Sequence, residues 1–581
     1  MSQSSKIATI KIDGIYYQVP EGISILEACQ IAKENIPTLC HLNLHGVNSG
    51  NEHANCNVCV VEVLGAQDLV PACNTSVFCG MEIHTRNWRV ISERRSNLEC
   101  ILANHPKECL TCKRNLECEL QTMATAFGVK NHKFEGVRKH SLKDNSSTSI
   151  SRNTEKCILC RRCEIICEKA QTVGVYRTET RDFETVICTA HDKPLKDTAC
   201  TFCAQCVLVC PTGALVEVDD TSKVWDALHD PDKYVVVQTA PAIRVSLGES
   251  FGLPAGTRVT GKMITALRHL GFDQVLDTAF GADLTVMEEA TEFLHRLENG
   301  GKLPIITTCC SSWIKFVEHQ FPDMLDMLST CKSPHQMFGA TAKSYLAQKI
   351  GIDPGKMVVV SVMPCLSKKF EASREELTHP KNGRDVDYVI STRELASMIK
   401  ETGYTFSSML DGEFDELMGE TTSGVIFGTT GGVIESVVRT VSSWVEGKPP
   451  EKIDFVQLRG YEGVREAKVR IGDKEIALAI AHGLGNARKL MEDVRSGKVN
   501  YHAIEVMASP YGCVGGGGQP FCNDNLETLQ KRSKALHREG AGKSKRLSHE
   551  NTQIKKLYEE FLGKPGGEKA HEHLHTKFHK R

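Results

Sequence analysis

Residues 8–20, ATIKIDGIYYQVP, alternate apolar and polar positions on both sides of an Asp-Gly turn, which predicts a β-hairpin. The spacing lengthens in SILEACQIAKEN (24–35), which predicts a helix. From about Lys233 the texture changes again. YVVVQTAPAIR (234–244), KLPIITTCC (302–310) and KMVVVSVMPC (356–365) are short β-rich runs that end in loops with special residues. Helical patterns separate them, in GADLTVMEEATEFLHRLENG (281–300) and SPHQMFGATAKSYLAQKIG (333–351). Strands alternating with helices predict a parallel α/β architecture, whose sites collect beyond the carboxyl ends of the strands. Cys309, Cys310 and Cys365 stand at such ends, and with Cys513 and its four glycines they define one candidate buried pocket.

Composition sharpens this picture. A chain of 581 residues has room for several domains, and a formal net charge of −2 makes no electrostatic case for nucleic acid or an anionic membrane. No apolar run is long enough to span a bilayer, and the start MSQSSKIATIKIDG has neither the apolar core of a secretory signal nor a twin-arginine signal. A cytoplasmic location is the expectation. Of 25 cysteines, nineteen lie at or before Cys210. In a chain with no export signal, such density points to metal binding rather than disulfides.

The spacing says which metal chemistry. CILCRRCEIIC and CTFCAQCVLVCP each follow C-x2-C-x2-C-x3-C, the run that gives three ligands to one cubane and the fourth to its neighbour. Cys157, Cys160, Cys163 and Cys210 are therefore assigned to one 4Fe–4S cluster, and Cys200, Cys203, Cys206 and Cys167 to another. Zinc also takes C-x2-C pairs, but two matched four-cysteine runs favour iron. Upstream, Cys40, Cys56, Cys59 and Cys73 follow the hairpin and helix, as in a plant-type 2Fe–2S ferredoxin with a longer loop. In HPKECLTCKRNLEC, His105, Cys109, Cys112 and Cys118 offer one imidazole and three thiolates for a further 4Fe–4S cluster, although histidine also suits zinc. Four clusters in sequence make an electron wire. The first 220 residues resemble both the large iron–sulfur subunit of respiratory NADH dehydrogenase and the front of clostridial FeFe-hydrogenases.

The remainder decides between the two. TTCCSSW (307–313), MPCLSKKFE (363–371) and EVMASPYGCVGGGGQP (505–520) resemble the three signature segments of FeFe-hydrogenases. TAPAIR (239–244), FGADLTVMEEATE (280–292) and the tail from SHEN to HEHLHTK extend the resemblance over essentially the whole chain, in the long form with accessory clusters. The resemblance implies an H-cluster: a 4Fe–4S cubane bridged to a diiron unit carrying CO, cyanide and an azadithiolate. It implies Cys310, Cys365 and Cys513 as ligands, with Cys513 the bridge, and Lys368 as hydrogen-bond donor to a cyanide. Met363 and Met507 would pack near the diiron unit. Ala240, Pro241, Gly515, Gly516, Gly517 and Gly518 would approach its ligands with backbone, and Gln519 closes that segment. Cys309, Glu289, Ser329, Glu292 and Arg296 would form the proton path; Glu289, Glu292 and Arg296 share one helix face by spacing alone.

The departures are as informative. The third segment usually carries cysteine where Ser509 stands, so the cubane's fourth ligand is a serine, an open or water-bound iron, or a labile position. Ser311 replaces a usual proline. His335 stands where clostridial relatives commonly have glutamine, and an imidazole beside the cofactor can titrate near neutrality. Cys29, Cys79, Cys100, Cys188, Cys331 and Cys522 are read as packing, and the His-rich end KAHEHLHTKFHKR as a packed tail with a solvated end.

The expected organisation is multidomain α/β and α+β. It comprises a plant-ferredoxin-like β-grasp domain (1–80), a His/Cys3 cluster domain (81–140), a bacterial-ferredoxin-like two-cluster domain (141–225) and a two-lobed α/β H-cluster domain (226–581) ending in a tail (528–581). The expected function is reversible hydrogen production with ferredoxin or flavodoxin as electron partner, maturation proteins that supply the diiron unit, and a monomeric chain. A low-turnover hydrogen sensor and a non-catalytic iron–sulfur assembly protein are the alternatives. No nucleotide-binding fingerprint stands out, so direct use of NAD by this chain alone is not expected.

Overall fold

The fold was analysed in a computed structural model that describes residues 6–42, 55–130, 134, 142–180, 185–379, 381–419, 421–522 and 525–581. Ile7–Ile12 and Ile15–Pro20 pair antiparallel around the Asp13-Gly14 turn, where both residues take positive φ. Glu82–His84 adds parallel to the first of these strands, and Val60–Val63 and Val70–Pro71 complete a five-stranded sheet. The helix Ile25–Ile31 is opened by a capping box in which Ser24 accepts from the Glu27 amide and Glu27 accepts from that of Ser24. It packs its buried face on the sheet, giving the first unit the expected ferredoxin-like form.

The helix Trp88–Ala103 leads into the cluster-bearing middle of the chain. There Lys143–Asp144, Ile150–Asn153 and Leu215–Glu217 form a small antiparallel sheet, and Tyr176–Glu179 pairs with Val186–Thr189.

Two four-stranded sheets form the back of the chain. In one, Gln274–Asp277, Tyr234–Thr239, Met357–Met363 and Tyr388–Ser391 are neighbours in that order and wholly parallel. Both faces are covered, which is why these strands read as nearly continuous apolar runs. In the other, Ile305–Ile306, Ala503–Met507 and Lys474–His482 are parallel, with Val464–Ile471 antiparallel at the edge. The predicted run 302–310 yields only a two-residue strand, because TTCC leaves the sheet to form the site.

The helix Thr278–Asn299 packs on elements of both lobes, capped by Asp277 at its start and by left-handed Gly300 at its end. It buries Asp283, Glu288 and Glu289. Asp283 receives the Thr422 and Gly424 amides and the Ser548 hydroxyl, so one carboxylate ties the tail to the centre. The tail docks to its last residue: Arg581 Nε lies 3.0 Å from Glu318 Oε2, so the charged end expected in solvent is partly held by an ion pair.

Candidate H-cluster site and electron relay

Four groups of ligand-type side chains converge in the front of the molecule. Cys40 Sγ lies 3.3 Å from Cys56 Sγ, and Cys59 Sγ 3.5 Å from Cys73 Sγ; Cys40 also reaches Cys73, so the four thiols form one compact set. Most of the loop between Cys40 and Cys56 lies outside the described residues. His105, Cys109, Cys112 and Cys118 line a second cavity. Burial lowers the His105 pKa to about 4, and its Nδ1 is buried with no partner among the described residues. A neutral imidazole with an orphaned nitrogen beside three thiols fits a metal ligand.

Cys157, Cys160, Cys163 and Cys210 line one cavity. Cys200, Cys203, Cys206 and Cys167 are mutual electrostatic neighbours, and burial raises each of these thiols. Such desolvated sulfurs become thiolates readily only beside a cation, which an iron cluster supplies. The sites are contiguous. Cys40, Cys56, Cys118 and Cys160 share one apolar cluster, and Lys156 Nζ lies 3.4 Å from Cys112 Sγ. The Cys40 set and the His105 set therefore both adjoin the Cys157 set.

At the inner end of the relay, Cys203 and Cys310 pack on the same core and influence each other electrostatically. Gln205, between Cys203 and Cys206, donates to Gly515 O at 3.1 Å and to Ser509 Oγ at 3.4 Å. The segment that carries Cys203 and Cys206 thus touches the loop that carries Ser509 and Cys513.

The central cavity is lined by Ala240, Pro241, Cys309, His335, Met363, Cys365, Lys368 and Cys513 among others. Strand geometry explains the convergence. Ala240 follows Tyr234–Thr239, Cys365 follows Met357–Met363, and Ser509 follows Ala503–Met507, so each strand end sends its loop to the same place. Cys365 and Cys513 are within hydrogen-bonding reach, and their coupling pulls the Cys513 thiol below its ordinary pKa and pushes Cys365 well above. Cys310 Sγ accepts from the Ala508 amide at 3.3 Å. Sulfur donors on three loops, small residues and a lysine around one buried space fit a bridged iron–sulfur group.

Lys368 Nζ donates to Cys309 O at 2.8 Å and to Glu371 Oε2 at 2.7 Å. The same carboxylate oxygen lies 2.5 Å from His335 Nε2 and accepts from Ser333 at 3.0 Å. His335 lines the cavity, and burial lowers its pKa below the ordinary value despite Glu371. Glu371 itself is held down to about 2 despite burial, by Lys368 and His335.

The glycine run needs a different account from the one expected. Gly515, Gly516, Gly517 and Gly518 do not line the central cavity. A Cβ on Gly516 or Gly518 would press on Pro364 O, and one on Gly517 would stand 2.8 Å from Cys203 O. These glycines let the Cys513 loop pack against the Cys365 loop and the relay domain. Gln519, also outside the cavity, accepts from Ser246 at 2.6 Å and Thr392 at 2.7 Å and donates to Cys513 O at 3.4 Å, so it braces the loop. Met507 belongs to the neighbouring core, against which Cys309 and Cys513 also pack. The glycine that does line the cavity is Gly428, with Phe427, and no motif signalled either.

A polar track leads outward from Cys309, whose thiol is driven well above its usual pKa by burial and by nearby sulfur and carboxylates. Glu289 is buried with neither carboxyl oxygen completing a hydrogen bond among the described residues, near the Thr308 amide and the Ser329 hydroxyl. Burial, then Glu292, lifts its pKa to about 8. Ser329 Oγ donates to Glu292 Oε2 at 2.8 Å, and Arg296 Nη2 to Glu292 Oε1 at 2.6 Å. Arg296 also donates to Leu328 O at 2.8 Å, fixing the loop that carries Ser329. Sequence reasoning passed over Glu505, which caps the helix Gly432–Glu446 through the Gly431 and Ile434 amides at 2.6 and 2.9 Å and is raised to about 7 by burial.

Comparison with known proteins agrees with this geometry. Residues 233–517 match the model of the C-terminal domain of the iron-only hydrogenase large subunit, and 526–581 match that of the iron hydrogenase small subunit. Residues 5–88 match a 2Fe–2S iron–sulfur cluster binding domain, and 94–133 the NADH-ubiquinone oxidoreductase-G iron–sulfur binding region. The chain is 51% identical to the NADP-reducing hydrogenase subunit HndD of Solidesulfovibrio fructosivorans, over 99% of each chain. It is 40% identical to iron hydrogenase 1 of Clostridium pasteurianum, over 98% of this chain and 100% of that one. The solved apo structure of the FeFe-hydrogenase HydA1 from Chlamydomonas reinhardtii, a Cys-to-His variant, is 39% identical, with a TM-score of 0.57 over 62% of this chain and 99% of that one. By its sequence over nearly its full length and by its fold, the chain belongs to the iron-only, or FeFe, hydrogenase family.

Proposed function

We propose that this protein catalyses the reversible reaction 2 H+ + 2 e− = H2 at an H-cluster, with electrons carried by one 2Fe–2S and three accessory 4Fe–4S clusters. The observation that carries the reading is one cavity lined by Cys309, Cys365 and Cys513, with Gln205 holding the Cys513 loop on one side and the polar track starting from Cys309 on the other. Cys310, Cys365 and Cys513 would hold the group, with Ser509 at the fourth cubane position. When bound, the H-cluster supplies the iron at which dihydrogen is made or split. Lys368, kept charged by Glu371, would present an ammonium to the group's anionic ligands.

The protein's own contribution is to hold and move protons at named atoms. At neutral pH the Cys309 thiol and the Glu289 carboxyl are both protonated, so each can pass a proton inward and be refilled from outside. Ser329 Oγ relays between Glu289 and Glu292, and Arg296 pairs with Glu292, the outer acceptor. Ser509 Oγ accepts from Gln205, a contact a bound alkoxide would keep, and this supports a working cluster with altered electronics over a dead one.

Ferredoxin or flavodoxin is the proposed electron partner of a monomeric, cytoplasmic chain with the four domains set out above, matured by dedicated proteins. A second reading rests on the name of the HndD relative, in which electrons reach NADP through further subunits. The test is H2 evolution from reduced methyl viologen by protein with its full iron content, then with reduced ferredoxin or NADPH in place of the dye. Turnover with dye and ferredoxin is expected, and none with NADPH alone. Silence with all iron present would favour the sensor or assembly-protein alternative.

A further inference from the structure

The tail brings an imidazole to the outer end of the polar track. His575 follows the helix Glu568–Leu574 and forms an isolated antiparallel bridge with Cys331. Its Nε2 lies 2.9 Å from Glu288 Oε2, and Glu288 also receives the Tyr558 hydroxyl and, at 2.8 Å, the Gly566 amide. A carboxylate in that position takes Nε2–H and leaves Nδ1 as the bare nitrogen. Nδ1 lies 2.7 Å from Thr330 Oγ1, on the side of Glu292. Cys331 Sγ, fully buried, is 4.0 Å from Glu292 Oε2. One nitrogen, one sulfur and one oxygen, from His575, Cys331 and Glu292, all lie within 4.8 Å of one another.

That donor set suits a borderline divalent cation. Zinc takes imidazole, thiolate and carboxylate together in tetrahedral sites, and a second carboxylate on the far ring nitrogen is its usual orienting partner. The surrounding charge favours a cation as well. Burial, then Glu292, Glu289 and Glu288, raise the Cys331 thiol, and the guanidinium of Arg296 stands against them on Glu292. The other titratable neighbours are Tyr558 and His571, whose ring centroid is 4.0 Å from that of His575.

We propose that Glu292, Cys331 and His575 form a site for one zinc-type divalent cation, and that filling it closes the outer end of the proton track. Binding exchanges the Cys331 thiol proton for the metal, Zn2+ plus thiol giving zinc thiolate plus H+, and occupies the Glu292 oxygen that serves Ser329. The closing effect rests on the proton route proposed above; the metal site does not.

The test uses iron-replete holoenzyme and Zn2+ under anaerobic chelator buffering. Zinc-edge X-ray absorption should show one sulfur at about 2.3 Å with nitrogen or oxygen at about 2.0–2.2 Å. Cys331→Ala and His575→Gln should each weaken zinc binding at least about tenfold, and Glu288→Gln, which leaves all three ligands in place, by about 10–100-fold. Hydrogen evolution, referred to each protein's zinc-free rate, should fall as zinc fills the wild type and not at the same zinc level in the ligand variants. Equal zinc affinity in wild type and both ligand variants would overturn the site. So would a shell of four sulfurs, which marks iron replaced in a cluster. Zinc bound with the expected shell but without loss of turnover upholds the site, overturns its closing effect and places the fault in the proton reading.

Discussion

Glu289→Gln should separate proton relay from structural support, because it moves activity and stability in opposite directions. Inside the fold the Glu289 carboxyl keeps its proton up to about pH 8, whereas the unfolded chain loses it near 4.5. Between those values the folded state binds a proton that the unfolded state does not. Stability from this group is therefore complete below pH 4.5, declines by about 1.4 kcal/mol per pH unit through the window, and levels above it. The full displacement corresponds to about 5 kcal/mol. Glutamine carries no such slope. The unfolding midpoint of Glu289→Gln, measured against wild type by near-ultraviolet circular dichroism, should gain steadily from pH 5 to pH 8. Methyl viologen-driven H2 evolution should meanwhile fall about 10²–10⁴-fold, the range for a lost acid–base group. Dithionite reduction of the accessory clusters should be unaffected. Turnover within about threefold of wild type would refute the relay role. A loss of turnover with lowered stability at every pH would mean that the substitution only broke packing.

Other sites yield independent checks. His105→Ala should lower the iron content by one 4Fe–4S equivalent and leave the central site loaded; unchanged iron by chemical analysis would exclude His105 as a ligand. Ser509→Cys should shift the midpoint potential of the H-cluster cubane in a spectroelectrochemical titration while both proteins turn over, and turnover by the cysteine variant alone would contradict a working serine site. Gly517→Ala would force a Cβ onto Cys203 O and Ala204, so a cost of about 1–3 kcal/mol and slower reduction of the H-cluster through the relay are expected; wild-type rates in stopped-flow reduction would show that the contact is dispensable. Glu217→Gln breaks a two-point ion pair with Arg393 that holds the carboxylate at about 2. The pair's stabilisation is complete above pH 4.5 and vanishes as pH falls through 2, so the loss, about 3–5 kcal/mol at pH 7, should shrink on acid titration.

What the sequence disclosed follows from the range over which its signals act. The ferredoxin hairpin, the helix after it and the parallel strands Tyr234–Thr239 and Met357–Met363 are local patterns that form where the periodicity places them, whereas the run 302–310 keeps only Ile305–Ile306 as strand. The cysteine runs are also local, and the proposed exchange of Cys167 and Cys210 between clusters is implicit in one short spacing rule; Cys157, Cys160, Cys163 and Cys210 line one cavity. The failures are contacts between segments far apart in sequence. Four consecutive glycines announce that backbone must come close to something, but not to what. The structure answers with Pro364 and Cys203, while the cavity takes its own glycine, Gly428, from a loop without a motif. His575 reads as one histidine among several in a tail, until the bridge to Cys331 brings it near Glu292. Ser509 is the sharpest instance. As a letter in a motif it is a missing thiol. In space its oxygen faces Gln205, 304 residues earlier and between Cys203 and Cys206. The same amide holds Gly515 O, so Gln205 couples the serine position to the proposed electron path whether or not Ser509 binds iron. Exchange at 509 should therefore alter electron entry as well as cubane ligation, and a Gln205→Leu variant that shifts the cubane potential only when residue 509 is serine would separate the two effects.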